Sequence, residues 1–349
     1  MAPASKARAQ ADAVADPSHT RIIAYLTQNQ IISTDTRCQF TLLSGGNSHI
    51  TWRVHSDAPS IGDLVVKVAQ PDGPLAPYDV AHEAGMMRLA YNLGAAVPDV
   101  VGHHTSPSGE CDFVVMKHVE GEAPSLWDVP KWIAAAPEGF RTRIGRSLIA
   151  SLKPLQQLSP EQNRDLPSHY DAYLRRIIET LRCEVGEAFA LPATIDRAGD
   201  WLRERCATLH APAALYHGDF RLGNVVVRDG KIVALLDWER AMVGHPLHDV
   251  GYLCLPAMRT GDLICGVLSQ AELAEIWQAE FGTPLDIKLC AYFRIMAMYT
   301  EFCAMVQALA RLAHGRGRIV GARTLPLVAR LHYDLLVAIR EWDHGEFHL

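Results

Sequence analysis

The stretch richest in chemistry is Tyr216-His-Gly-Asp-Phe-Arg-Leu-Gly-Asn224, followed by Leu235-Leu-Asp-Trp-Glu239. Asp219 and Asn224 stand five residues apart on a loop that enters the apolar run Asn224–Arg228. Asp229-Gly230 separates that run from Lys231–Asp237, and an Asp-Gly pair between apolar runs marks a type I′ hairpin. A two-stranded ribbon brings its ends together, so Asn224 and Asp237 should project beside Asp219. Phosphoryl transfer needs this set of groups. One carboxylate orients and deprotonates an acceptor hydroxyl, while an amide oxygen and a second carboxylate hold Mg²⁺ on a triphosphate. Taken singly, Asp219 reads as a turn cap and Asn224 as the start of a strand. The spacing of all three favours the chemical reading.

Further candidates lie upstream. Ser44-Gly-Gly-Asn-Ser48 joins the apolar runs Phe40–Leu43 and Ile50–Val54, and the backbone N–H groups of Gly45, Gly46, Asn47 and Ser48 could close over phosphates. Lys67 sits in the middle of the β-branched run Asp63–Ala69, where a charge needs a partner or a function. Glu83 follows sixteen residues later on a helical stretch, and a Lys–Glu pair there would aim the ammonium at the α- and β-phosphates. The plainer alternatives are an edge-strand lysine facing water and a solvated helix glutamate.

The elements that must hold these residues fall into two groups. Strand patterns over 40–43, 50–54, 63–69, 97–101 and 111–119 surround one helix over 78–93, with Val80, Ala84, Met87 and Tyr91 on one face and Gly94 as its stop. After Glu120, the prolines 124, 130 and 137 punctuate a link. Helical periodicity then covers 141–158, 168–187, 194–209 and the long apolar 287–313, interrupted by the hairpin. The expectation is an α+β fold of two lobes sharing one site. Residues 1–17 form a disordered tail, 18–117 a β-rich nucleotide-binding lobe, and 118–349 a mainly helical lobe with the catalytic loop and acceptor site.

Composition narrows the class further. The 349 residues are 49% hydrophobic and 21% charged, which is globular rather than disordered. A net charge of −6 argues against a nucleic-acid partner. Residues 1–17 have no apolar core of a secretion signal, and no uninterrupted apolar run approaches the roughly eighteen residues of a membrane span. Eight scattered cysteines without a C-x-x-C pair suggest reduced thiols and a cytoplasmic location.

The motifs H-G-D-F-R-L-G-N and L-D-W-E-x-A-x-x-G-x-P-x-x-D resemble those of the aminoglycoside phosphotransferase and choline kinase superfamily, which has a protein-kinase-like fold. They look most like the branch whose phosphotransferase domains are fused or linked to acyl-CoA dehydrogenases, and the likeness runs from about Phe40 to Tyr252. The resemblance implies ATP and Mg²⁺ as cofactors, Asp219 as catalytic base, and Asn224 and Asp237 as Mg²⁺ ligands. It implies Lys67 and Glu83 as the phosphate-positioning pair, and Arg221 where protein kinases place a lysine that steadies the transferred group. His217 would brace the loop, Asp249 would tether it, and Glu239 could stand behind the metal. Phe113–Gly121 matches the interlobe hinge, so Lys117 and Val119 would meet the adenine, although the family usually has an acid where Lys117 stands.

The acceptor end is less clearly written. Tyr252, Arg294, Tyr299 and Glu301 are possible contacts on the helices facing Asp219. The C-terminal region has no dense acidic run of the kind a polycationic aminoglycoside needs, which favours a neutral or anionic small molecule bearing a hydroxyl. The resemblance implies a hydroxyacyl-CoA as that acceptor, with an alcohol or phenol as alternatives. The rival readings are a protein kinase, which lacks support from any A-P-E-like segment, and a catalytically silent nucleotide-binding module.

Overall fold

The computed structural model describes residues 16–43, 49–58, 61–73, 76–107, 109, 111–125, 128–159, 161, 165–186, 190–316 and 324–349. The turn Ser44–Ser48, with Gly45, Gly46 and Asn47, therefore lies outside the described residues, as do residues 1–15 of the expected tail.

Five strands, β1 (Cys38–Leu42), β2 (His49–Ser56), β3 (Leu64–Ala69), β4 (Val100–His104) and β5 (Phe113–Lys117), form one antiparallel sheet in the order β1-β2-β3-β5-β4. The period-2 alternation of β3 divides its side chains between two faces. Leu64, Val66 and Val68 join Phe113 and Val115 in a small core under α1 (Pro17–Gln28). Ala69, Val114 and Met116 face α2 (Val80–Asn92) and the second lobe. Lys67 has the same parity as Ala69. The strand pattern thus directs its ammonium to the interlobe side, and its place in the middle of the sheet excludes an edge lysine facing water.

Helix α1 corrects the expected boundary of the tail. Asp16 caps the helix by accepting the Ser18 N–H at 2.8 Å, and Pro17 occupies its first turn. Ile22 and Leu26 are fully buried against the sheet. The cap, proline and two apolar anchors make 17–28 a lobe element.

The chain leaves the sheet after Lys117 and enters a helical lobe of α3 (Val129–Ala134), α4 (Phe140–Ala150), α5 (Leu166–Val185), α6 (Ala193–Cys206), α7 (His248–Leu253), α8 (Gln270–Phe281), α9 (Ile287–Ala313) and α10 (Thr324–Asp343). The helix expected over 141–158 ends at Ala150, and Pro154 opens a separate single turn. Two ribbons are set into this lobe. The hairpin of β7 (Val225–Arg228) and β8 (Lys231–Leu235) turns at Asp229 and Gly230, whose φ values of 52° and 74° fit the type I′ turn. A second pair, β6 (Ala214–Tyr216) with β9 (Met242–Gly244), was not evident from the sequence. It ties the start of the Asp219 loop to the end of the Asp237 loop. Helix α9 is long and apolar enough to cross a membrane, but 78% of its most apolar window is buried inside the fold. It is the central helix against which α5, α6, α7 and α10 pack.

Candidate active site

The catalytic loop is fixed from several directions. The Asp219 carboxylate accepts the Arg221 Nε–H at 2.8 Å on Oδ1 and the Asn224 Nδ2–H at 2.7 Å on Oδ2. Asn224 also donates to the Asp219 carbonyl at 2.9 Å, so its amide oxygen is the atom left for a cation. His217 is fully buried, and burial lowers its pKa. Its Nδ1 accepts the Asp219 N–H at 3.3 Å, which places the proton on Nε2 for donation to the Leu236 carbonyl at 2.8 Å. Asp249 accepts the N–H groups of His217 and Gly218 at 2.8 and 3.0 Å. Burial pushes its carboxyl up to about 7 against the opposing pull of those two donors. Gly218 has φ +81°, and a Cβ there would lie 2.4 Å from the Arg240 carbonyl, so the turn requires glycine.

The hairpin then brings the second carboxylate back. Leu236 N–H donates to the Asn224 carbonyl at 2.8 Å, and the next residue is Asp237. Asp237 has φ 68°, a left-handed conformation that a non-glycine residue holds only when its surroundings enforce it. Lys67 provides one restraint, since its Nζ donates to Asp237 Oδ1 and, at 2.8 Å, to Glu83 Oε1. Fully buried Trp238 provides another, with Nε1 donating to the Leu235 carbonyl at 2.9 Å. Burial opposes the charge on Lys67, but Glu83, Asp237 and Glu239 more than offset it and raise the ammonium pKa. Burial likewise works against the Asp237 carboxylate, yet Lys67 holds it down at about 2. Glu239, 3.6 Å from Lys67, is pushed up to about 8 by burial and by the neighbouring Asp237 charge.

Three carboxylates thus crowd one ammonium. The hard oxygens of Asp237 and Asn224 fit a magnesium ion. No cluster of three or more His, Cys, Asp or Glu placed to hold a metal exists among the described residues. A cation at this pair would therefore complete its shell from phosphate and water, as Mg²⁺ commonly does.

The remaining candidates divide. The Val119 N–H has no hydrogen bond among the described residues. The Lys117 side chain turns away to Asp99 at 3.0 Å and is exposed, and its N–H serves the Asp99 carbonyl at 2.8 Å. Lys117, paired with Leu64 at the end of β5, thus spends its side chain on a surface ion pair, and the hinge reading rests on backbone groups. Tyr252 and Glu301 gather near the catalytic loop, with the tyrosine hydroxyl donating to the carboxylate at 3.3 Å. Arg294 and Tyr299 do not join them. Arg294 faces Glu341 of α10 at 3.8 Å, and Tyr299 packs against Gly199 of α6. Helical rotation on α9 separates these pairs.

Two participants escaped the sequence analysis. His49 on β2 places Nδ1 3.3 Å from Glu239 and its ring centroid 4.5 Å from that of Tyr78. Its position next to the Gly-Gly turn was the only signal. Arg240 pairs with Glu301 and lies over the Tyr252 ring at 5.7 Å. It directly follows L-D-W-E, but its partners are remote in sequence.

A five-stranded antiparallel lobe, a helical lobe and a charged site between them define a protein-kinase-like phosphotransferase. The chain belongs to the phosphotransferase enzyme family, whose model matches residues 39–287. Among curated relatives, acyl-CoA dehydrogenase family member 11 of Gallus gallus is 27% identical over 220 residues, covering 60% of this chain and 27% of that protein. Family member 10 of Mus musculus is 30% identical over 203 residues, covering 53% of this chain and 18% of that protein. The match therefore spans about a quarter or less of those relatives' own length. In fold, the chain resembles an ethanolamine kinase of Plasmodium vivax, with a TM-score of 0.60, 12% identity and coverage of 92% and 89% of the two chains. It also resembles a spectinomycin phosphotransferase solved with ADP and spectinomycin, with a TM-score of 0.56, 12% identity and coverage of 91% and 98%.

Proposed function

We propose that the protein transfers the γ-phosphate of ATP to a hydroxyl of a small molecule, with Mg²⁺ as cofactor. The observation that carries this reading is the Asp219 carboxylate, restrained at both oxygens by Arg221 and Asn224 on a loop stitched to Asp237. Each carboxylate oxygen keeps a further lone pair, so Asp219 can still receive the acceptor hydroxyl. The hydroxyl oxygen attacks the γ-phosphorus, its proton passes to Asp219, and the bond to the bridging oxygen breaks to release ADP. Asn224 and Asp237 would hold Mg²⁺, which would supply neutralisation of charge on the phosphates. Lys67, aligned by Glu83, positions the α- and β-phosphates. Arg221 offers its remaining donors to the transferred group. The Val119 N–H reads the adenine edge. Family membership and a solved neighbour bound to ADP support the choice of nucleotide.

The decisive experiment compares wild type with Asp219→Asn for ATP consumption over a panel of hydroxylated acceptors. Acceptor-stimulated turnover should fall by about 10²–10⁴ in the variant, the usual share of a general base. If no acceptor raises consumption by the wild type above that of the variant, the protein is a nucleotide-binding module instead.

A further inference from the structure

A cleft of about 180 Å³ opens between α5 and α9, beside the loop that follows Asp237. Tyr173 and Ile177 of α5 and Cys303 of α9 give it an apolar wall, while Arg176, Arg240 and Thr300 give it a polar end. No Asp or Glu is among its described lining residues. The two arginines are not equivalent. Arg240 is paired with Glu301, and its second terminal nitrogen lies 3.4 Å from the Thr300 hydroxyl. Arg176 has no carboxylate partner among the described residues. Its contacts are the Met242 sulfur at 3.9 Å and the Tyr173 ring at 5.9 Å. The cleft therefore has a net positive end.

Its position ties it to the chemistry. The Arg240 carbonyl packs against Gly218, the residue before Asp219. The Arg240 guanidinium covers Tyr252, and the Asp219 charge acts on both side chains. The Arg240 end of the cleft thus lies near Asp219 and also near Glu239.

We infer that this cleft receives the acceptor and selects one that is anionic. The molecule has a hydroxyl for Asp219, a short apolar segment along Tyr173 and Ile177, and a carboxylate or phosphate held by Arg176 and Arg240. This inference rests on the proposed kinase reading and adds the substrate class to it. Arginine suits either anion because its planar donors match paired oxygens. A polycationic acceptor meets the uncompensated charge of Arg176 and is disfavoured.

The test uses the full chain and matched probes: hydroxyalkanoates of four to eight carbons, hydroxyalkyl phosphates, the corresponding diols, and amino alcohols. Calorimetry on the wild type should show the anionic probes binding at least about tenfold more tightly than the diols, with the stronger series identifying carboxylate or phosphate. In Arg176→Glu, the ratio of kcat/KM for the anionic probe to that for its diol should fall by at least about tenfold. Arg176→Lys should restore most of it. Equal binding of anionic and neutral probes by the wild type overturns the inference, even if a diol is phosphorylated. An unchanged selectivity ratio in Arg176→Glu overturns it as well. Anion binding through Arg176 without phosphorylation of any probe would instead refute the kinase reading and leave the anion site standing.

Discussion

Glu83 accepts the backbone N–H of Trp238 at 3.3 Å on the same oxygen that binds Lys67. One carboxylate on α2 thus holds both the lysine of β3 and the residue after Asp237. Glu83→Gln keeps an acceptor oxygen but removes the charge that aligns Lys67. The KM for ATP should rise about tenfold with a loss of roughly 1–2 kcal/mol in stability, read by steady-state kinetics and urea unfolding. An unchanged KM would argue against a positioning role.

Asp237→Ala removes the carboxylate from the pair suited to magnesium. Calorimetry should show Mg-ATP affinity reduced at least about tenfold, with metal-free ATP affected much less, because Lys67 loses a competing carboxylate. Equal losses with and without Mg²⁺ would refute the metal assignment.

Gly218→Ala should be among the most damaging single-methyl changes in the chain. The added Cβ meets a backbone carbonyl that β6 and β9 hold in place, at a φ that alanine adopts only with strain. A loss of about 2–4 kcal/mol is expected from strain and displaced backbone together, with loss of turnover even where the fold survives. Thermal unfolding and an activity assay separate the two effects.

Acid sensitivity should have a localised component. Glu272 is held at about 2, first by its hydrogen bonds from Arg141 at 2.9 and 2.6 Å, with burial opposing and the Ser269 cap assisting. Its folded pKa lies below the unfolded value near 4.5. The stabilisation is therefore complete above pH 4.5 and is lost as pH falls toward 2. Discounted for partial exposure, it amounts to about 1–2 kcal/mol. Urea midpoints measured across this window should fall less steeply in Glu272→Gln than in the wild type.

Much of the site was legible because its residues are local in sequence or follow a simple period. Asp219, Asn224 and Asp237 are joined by one tight hairpin, and Asp229-Gly230 announced that turn. The parity of β3 aims Lys67 inward whatever the rest of the chain does. The parts that stayed hidden depend on tertiary pairing. The three-residue strands β6 and β9 are too short to show alternation, and they exist because each pairs with the other. Arg240 acquires its role from Glu301 on α9, a relation that no local spacing encodes. Arg294 and Tyr299 show the converse error, since chemical type nominated them while the rotation of α9 turned them into packing with its neighbours. Helix α1 was missed where the composition of the preceding residues masked a cap, a proline and two buried anchors.

Arg311, near the end of α9, donates to the carbonyls of Ala76 and Pro71 in the connection between β3 and α2, at 2.9 and 3.2 Å, and to Glu184 of α5 at 3.1 Å. Thr300 lies eleven residues earlier on the same helix, about 16 Å away along the axis. One rod thus has its tip bolted to the upper lobe and its shaft in the wall of the acceptor cleft. Any hinge motion of the sheet lobe must either shear those carbonyl contacts or lever α9. Nucleotide entry and acceptor geometry therefore share a mechanical part, although they share no side chain.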